Sequence, residues 1–246
     1  MKRHRILAAI LVQVFVTLSF TAAHAGFLDD LGKKLGLSDT QSGNLDDSTI
    51  VKGLKEALAT GTSRAVKSVA KTDGYFANDL IKIPIPEKIR SVTNLLGKFG
   101  FQPQVDEFVL SMNRAAEKAA PKAAEYFVSA LREMTFDDAR KILQGGNTAA
   151  TEYFKEKTGE KIFSAFKPAV ASSMQNVGVT RRYNQMTDSL KSIPFAGATA
   201  GSLDLDTYVT TKAVDGLFVM LGEEEKKIRT DPAARGTELL RKVFGK

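Results

Sequence analysis

Asn113, Arg114 and Glu117 carry the densest chemistry in this sequence. On a helix, Asn113 and Glu117 are one turn apart, and Arg114 meets Glu117 at a three-residue step. An amide, a guanidinium and a carboxylate on one face suit recognition of a polar ligand head. If another element covers that face, the same trio becomes a buried polar network, which must be fully satisfied to be tolerated. Thr151 and Tyr153, just past the Gly145-Gly146 turn, add two hydroxyls to the candidate group. Tyr153 also reads as a half-buried core residue.

Composition closes off most other chemistry. The chain has no Cys and no Trp, and its two histidines are His4 and His24. Both fall in a segment that reads as a removable leader. Without His or Cys there is no Ser-His-Asp triad and no thiolate nucleophile. Zinc, haem and iron–sulfur sites of the usual kind are excluded as well. No calcium loop and no phosphate loop is present. Asp204 and Asp206 at a helix start read as a cap and a dipole partner rather than a metal pair. No metal site, cofactor site or catalytic residue is assigned. A carboxylate pair would suffice for sugar hydrolysis, but Glu117 and Glu125 lie eight residues apart across Pro121, so their spatial relation stays open. Glu223-Glu224-Glu225 reads as a solvated charged face.

The N-terminus is built for export. Met1-Lys2-Arg3-His4-Arg5 is a short basic stretch, Ile6 to Phe20 is mostly apolar, and Ala23-His24-Ala25 has small residues where a signal peptidase reads. The apolar run is shorter than the roughly 20 residues a membrane anchor needs. Residues 1–25 are therefore expected to be a signal peptide cleaved after Ala25, which places the working protein in the periplasm with no transmembrane span. Three of the 35 basic residues leave with the leader, against 28 acidic ones that stay, so net charge falls from +7 to about +4. That is an ordinary solvated surface, too weakly basic to imply nucleic acid.

Residues 26–47 read as a short helix and a linker. Phe27, Leu28, Leu31 and Leu35 share one face of the helix, which is either a membrane-surface or docking element or a frayed lead-in. Residues 48–246 read as one helical domain. A helical pattern covers Ser48 to Lys71. Leu80-Ile-Lys-Ile-Pro-Ile-Pro86 breaks it: isoleucines alternate with lysine and proline, which forbids helix and central strand alike. This is the one short extended strap expected, near 80–86, and 192–201 is a second irregular stretch. A helix follows Pro86 and stops at Gly100. Beyond Pro103, Val105, Phe108, Val109, Met112, Ala115, Ala116 and Ala119 form the clearest amphipathic stripe. Pro121 ends or kinks it, and a continuation holds Phe127 and Leu131. Thr135 and Asp138 make a capping-box pattern. Separate helices are expected around Tyr153 and Phe154, from Lys161 to Val177 with a bend at Pro168, from Arg181 to Lys191, from near Asp204 through a charged face to Arg229, and from Ala233 to Phe244. The fold class is all-α, a single domain of eight to ten helices.

Five stretches carry a resemblance: IKIPIPEKI (81–89), VDEFVLSMNRAAEKAAPKA (105–123), MTFDDARKIL (134–143), AATEYF (149–154) and LDLDTYVTTKAVDGLFVMLGEEEKKIRTDPAAR (203–235). Together they resemble the bacterial family catalogued as domain of unknown function 4197, over nearly all of the chain after the leader. The resemblance implies an exported helical protein with no agreed activity, and it brings no catalytic residues. It draws attention to Asp138, Asp206, Tyr208, Asp215, Glu225, Arg229, Asp231 and Arg235 beside the five candidate residues.

The function expected is a non-enzymatic binding or protein-interaction module. Its partner is an unknown protein or a small apolar or amphipathic ligand held between helices, for which the phenylalanines would supply a lining. A ligand-sized apolar cavity would favour ligand binding, and a solid core would favour a protein partner. Two alternatives stand beside it. One is a cell-envelope hydrolase using paired carboxylates. The other is a peripheral membrane protein attached through residues 27–37.

Overall fold

The computed structural model describes residues 47–189, 204–237 and 241. The leader with its cleavage site at Ala23 and Ala25, the 27–37 segment, the 192–201 stretch and half of the expected closing helix, 238–240 and 242–244, lie outside the described residues. The described residues all belong to one compact unit, 45–246.

Helix follows helix: α1 (Asp47–Ala70), α2 (Arg90–Lys98), α3 (Gln102–Ala119), α4 (Ala123–Glu133), α5 (Phe136–Gln144), α6 (Ala149–Val177), α7 (Val179–Ser189) and α8 (Leu205–Thr230), with 3₁₀ turns at Glu87–Ile89, Ala120–Lys122 and Pro232–Ala234. No strand occurs among the described residues. The all-helical class therefore stands. The segment 82–86 has no helical structure, as its prolines require, and its alternation is real: Ile81 and Ile83 are buried while Lys82 and Pro84 are exposed.

One expectation needs correction. The helices expected around Tyr153 and from Lys161 are a single 29-residue helix, α6, which reduces the number of separate helices. Gly159 costs only about 1 kcal/mol inside a helix, and burial of Phe154, Thr158, Ile162, Phe166, Val170 and Met174 along one face outweighs it. Pro168 lies within the helix too. It removes one backbone bond, to the carbonyl of Ser164, an exposed residue. The helix ends where expected for its chemistry, at Gly178, whose φ of 74° is left-handed.

α6 packs against α3, α4 and α8, α8 also packs along α1, and α1 packs on α4. At the middle, Phe127 from α4 meets Phe154 from α6 and Phe218 from α8 edge-on, at centroid distances of 5.4 and 6.1 Å. Such pairs add about 0.5–1.5 kcal/mol each beyond the area they bury. The strap rests on α8 at Gly216, where a Cβ would stand 2.8 Å from Cε1 of Tyr75 and 3.1 Å from Cβ of Ile81. Glycine is what lets the strap approach that closely.

The capping box at α5 is present in full. Thr135 Oγ1 accepts from Asp138 N (3.1 Å), and Asp138 Oδ2 accepts from Thr135 N (3.0 Å). The Thr135 hydroxyl, which donates to Asp138 Oδ2 at 2.7 Å, and after it the Thr135 N–H hold the Asp138 carboxyl below the usual aspartate range. Thr135→Ala is expected to cost about 1 kcal/mol in urea unfolding at neutral pH. Because the folded pKa is depressed, the contribution of Asp138 is present at neutral pH and is lost as pH falls below 3.8 and through the folded value. Unfolding curves of Asp138→Asn and the unmodified chain should therefore converge toward acid pH.

Candidate functional site

The three residues on α3 do come together, and the strap is what covers them. Asn113 is fully buried and Glu117 is 3% exposed. The Asn113 amide meets Ile83 of the strap as a neighbouring strand would. Its Oδ1 accepts from Ile83 N at 2.8 Å, and its Nδ2 donates to Ile83 O at 3.0 Å. The second Nδ2 proton goes to Val109 O at 2.8 Å, one turn back.

Glu117 holds the loop that leads into the strap. Its Oε1 accepts from the backbone N–H groups of Tyr75 and Phe76 at 3.2 and 3.3 Å. Its Oε2 accepts from Arg114 Nη1 at 2.7 Å, and Arg114 Nη2 donates to Asp73 Oδ1 at 2.7 Å. Asp73 has a φ of 65°, a left-handed conformation unusual for a residue with a side chain. The Tyr75 side chain is fully buried, and its hydroxyl donates to Ala213 O on α8 at 2.6 Å. Burial, and after it the Glu117 charge, push the Tyr75 hydroxyl far above its ordinary range, so it is a donor and not an acid. From α8, Tyr208 donates to Pro84 O at 3.0 Å. The trio thus forms one network with residues 73–84, in which the Asn113 amide and both Glu117 oxygens are occupied from within the chain and Arg114 is engaged through two of its nitrogens.

Thr151 and Tyr153 belong elsewhere and do not share a partner. Thr151 joins a second network, around Glu225. The run 223–225 was expected to be a solvated face, but Glu225 is 5% exposed. The four-residue spacing Leu217, Leu221, Glu225 brings it onto the core face of α8. Its carboxylate reaches the N-terminus of α6. Oε1 accepts from Ala150 N (2.9 Å), and Oε2 accepts from Thr151 N (2.8 Å) and Thr151 Oγ1 (2.7 Å). Amides at a helix start have no partner within the helix, and a negative charge suits them. Arg229, one turn on, donates to Glu225 Oε1 from Nε (2.9 Å) and to Ile142 O in the last turn of α5 from Nη2 (2.8 Å). Arg235 closes the end of α8 by donating to the carbonyls of Ile228 and Arg229. Tyr153 is half-buried, and its hydroxyl makes a long 3.4 Å bond to Ala130 O. Burial, then the nearby acids Asp138, Glu133 and Glu156, push its hydroxyl up to about 12.

The remaining flagged acids are local. Asp204 caps α8 through Thr207 N at 2.9 Å, and Asp231 caps the last 3₁₀ turn through Ala233 N at 2.8 Å. Asp206 sits in the first turn of α8, and Asp215 lines a surface groove between α6 and α8. Among the described residues no three acidic side chains gather where a metal ion would sit, and no helix is long and apolar enough to cross a membrane.

Where α1, α6 and α8 meet, the described helices leave little space. The gap among α1, α6 and α8, lined by Leu54, Leu58, Leu221 and Ile228, holds about 10 Å³, the room of one water. Larger spaces are open grooves on the surface. One of about 520 Å³ runs between α6 and α8, past Phe163, Val214 and Phe218. Another of about 570 Å³ lies between the strap, α2 and α3. A third, of about 270 Å³, lies between α4 and α6 and holds Glu125 and Glu133. Those two acids are eight residues apart on one helix, about 12 Å of rise. Glycosidase carboxylates sit closer, at about 5–9.5 Å. Glu117, the other acid weighed with Glu125, is turned into the strap network and away from this groove.

Removing the Glu117 carboxylate strands two backbone N–H groups and a guanidinium. Glu117→Leu is expected to lose about 3–5 kcal/mol of stability in denaturant unfolding. Asn113→Asp is expected to be worse than Asn113→Ala, because a carboxylate would face the carbonyls of Ile83 and Val109 with no proton to give. A milder Asp than Ala variant would show that the strap is not held by this amide.

No curated protein and no solved structure matches the chain. A family model does, that described as Protein of unknown function (DUF4197), and it covers residues 44–245, which takes in both polar networks. With most of its length matched, the chain belongs to that family.

Proposed function

We infer that this is an exported, non-enzymatic helical module that recognises a partner protein through its surface. The observation that carries this reading is how little room the described helices leave where α1, α6 and α8 meet. The space between α1, α6 and α8 takes one water and no more, whereas ligand pockets are typically about 300–1,000 Å³. Of the phenylalanines that were candidates for a ligand lining, Phe108, Phe127, Phe154 and Phe166 are fully buried against the core, while Phe163 and Phe218 line the open groove between α6 and α8. The polar candidates are equally engaged, since Asn113, Arg114, Glu117 and Thr151 bond to the chain itself. A polar ligand head would have to break those bonds to enter. What is left for recognition is the outside of a stiff frame, where the grooves lie. Export rests on the leader pattern of residues 1–25.

Native mass spectrometry of the protein purified from the periplasm of its own host tests both parts. The expected spectrum has one species with the mass of residues 26–246 and no added small molecule. A retained lipid or metabolite would overturn the surface-recognition reading. A mass that includes residues 1–25 would overturn cleavage after Ala25.

A further inference from the structure

A chain without cysteine leaves its sulfur chemistry to methionine. Beyond the leader there are five: Met112, Met134, Met174, Met186 and Met220. The first four are core residues, each no more than 4% exposed. Met220 is the one of the five that is half-buried. It lies on α8, one turn after the Gly216 that meets the strap. Its neighbourhood is open as well. Val219 beside it is 44% exposed, and Leu80, in the turn that leads into the strap, is 68% exposed.

The Met220 sulfur already has a partner in that turn. Asn78 Nδ2 donates to Met220 Sδ at 3.3 Å. The rest of Asn78 shapes the turn itself. Its Oδ1 accepts from Leu80 N at 3.1 Å, and its backbone O accepts from Ile81 N at 3.1 Å and from Lys82 N at 2.8 Å. The thioether therefore ties to α8 the residue that directs the chain into the strap. A thioether sulfur is a weak acceptor, and it carries two lone pairs. Asn78 covers one of them, and the other remains for reaction.

We propose that Met220 is a modification site for peroxides, and that its sulfoxide unties the turn before the strap. The Sδ lone pair attacks one peroxide oxygen, so that an S–O bond forms and the O–O bond breaks. The departing hydroxide takes the proton from the transferred oxygen and leaves as water. Sulfur is oxidised by two electrons and the peroxide is reduced by two. Because Asn78 covers one lone pair, the oxygen enters at the other, and one of the two sulfoxide epimers is formed. Oxidation turns a flexible apolar side chain into a polar, chiral one. The sulfur then carries positive polarity and no longer suits the Asn78 amide as an acceptor. The side chain also packs against the core, and the added oxygen disturbs that contact.

The test is hydrogen peroxide treatment of the folded mature protein, followed by tryptic peptide mapping. Trypsin places each of the five methionines on a separate peptide. Met220 is expected to oxidise at least about tenfold faster than the other four, since susceptibility follows exposure. Two methionine sulfoxide reductases, one for each epimer, then read the stereochemistry on the released peptide. One of them should reduce the Met220 sulfoxide and the other should not, whereas Asn78→Ala should yield substrate for both. In the folded protein, oxidation should speed hydrogen exchange at the Ile81 and Lys82 amides by about tenfold. It should also lower the thermal midpoint by about 2–4 °C. Met220→Leu keeps the volume without the sulfur, and peroxide should change neither its exchange nor its midpoint. A buried methionine oxidising as fast as Met220, a mixture of epimers in the unmodified chain, or unchanged exchange at Ile81 and Lys82 overturns the proposal. So does an equal peroxide effect in Met220→Leu.

Discussion

A carboxylate buried at 3% exposure has to be met by donors, and much of this structure is arranged around that demand. Glu117 sits in the last turn of α3, where a charged residue would ordinarily face water. It is buried because the chain returns over it. The turn after α1 delivers the N–H groups of Tyr75 and Phe76 to one oxygen, and Arg114 serves the other. The left-handed backbone at Asp73 belongs to the same account. A residue with a side chain adopts that conformation at some cost, and here its carboxylate completes the ion pair with Arg114. Once the turn is fixed, Tyr75 drops into the core and bonds to α8, and Ile81 and Ile83 follow it. Gly216 supplies the clearance.

The same device recurs at the other end of α8. Glu225 leaves its own helix to serve the start of α6, and Arg229 serves the end of α5. One ion pair thus satisfies orphan groups at two helix termini, with the negative member at the N-terminus and the positive member at the C-terminus. That is the arrangement the helix dipoles favour. Neither α5 nor α6 has to find those caps locally. Thr148, the residue before α6, makes no side-chain cap and bonds to Glu152 instead. The Glu225 carboxylate substitutes for it, across 75 residues of sequence.

Local patterns were legible and distant ones were not. The stripe on α3, the capping box at Thr135 and Asp138, the cap at Asp204 and the proline-fixed strap all depend on neighbours within a few residues, so spacing alone reveals them. Asn113, Arg114 and Glu117 could be seen as a cluster for the same reason. What covers them could not, because Ile83 lies 30 residues away and Tyr75 lies 42. Glu225 was hidden differently. Within a run of three glutamates the composition is uniform, and only the phase relative to Leu217 and Leu221 separates the buried member from its half-exposed neighbours. The break expected within α6 fails for an energetic reason. Breaker residues cost about 1–3 kcal/mol locally, and a helix that packs along three others recovers that from side-chain burial the sequence does not display.

A general acid or base has to exchange a proton with a substrate, so it needs an open side. Glu117 and Glu225, at 3% and 5% exposure, have none. Each accepts hydrogen bonds from two backbone amides and pairs with an arginine. Such carboxylates are suited to holding a shape. The shape they hold is a frame in which helix ends, a strap and a long central helix are locked to one another by side chains far apart in sequence.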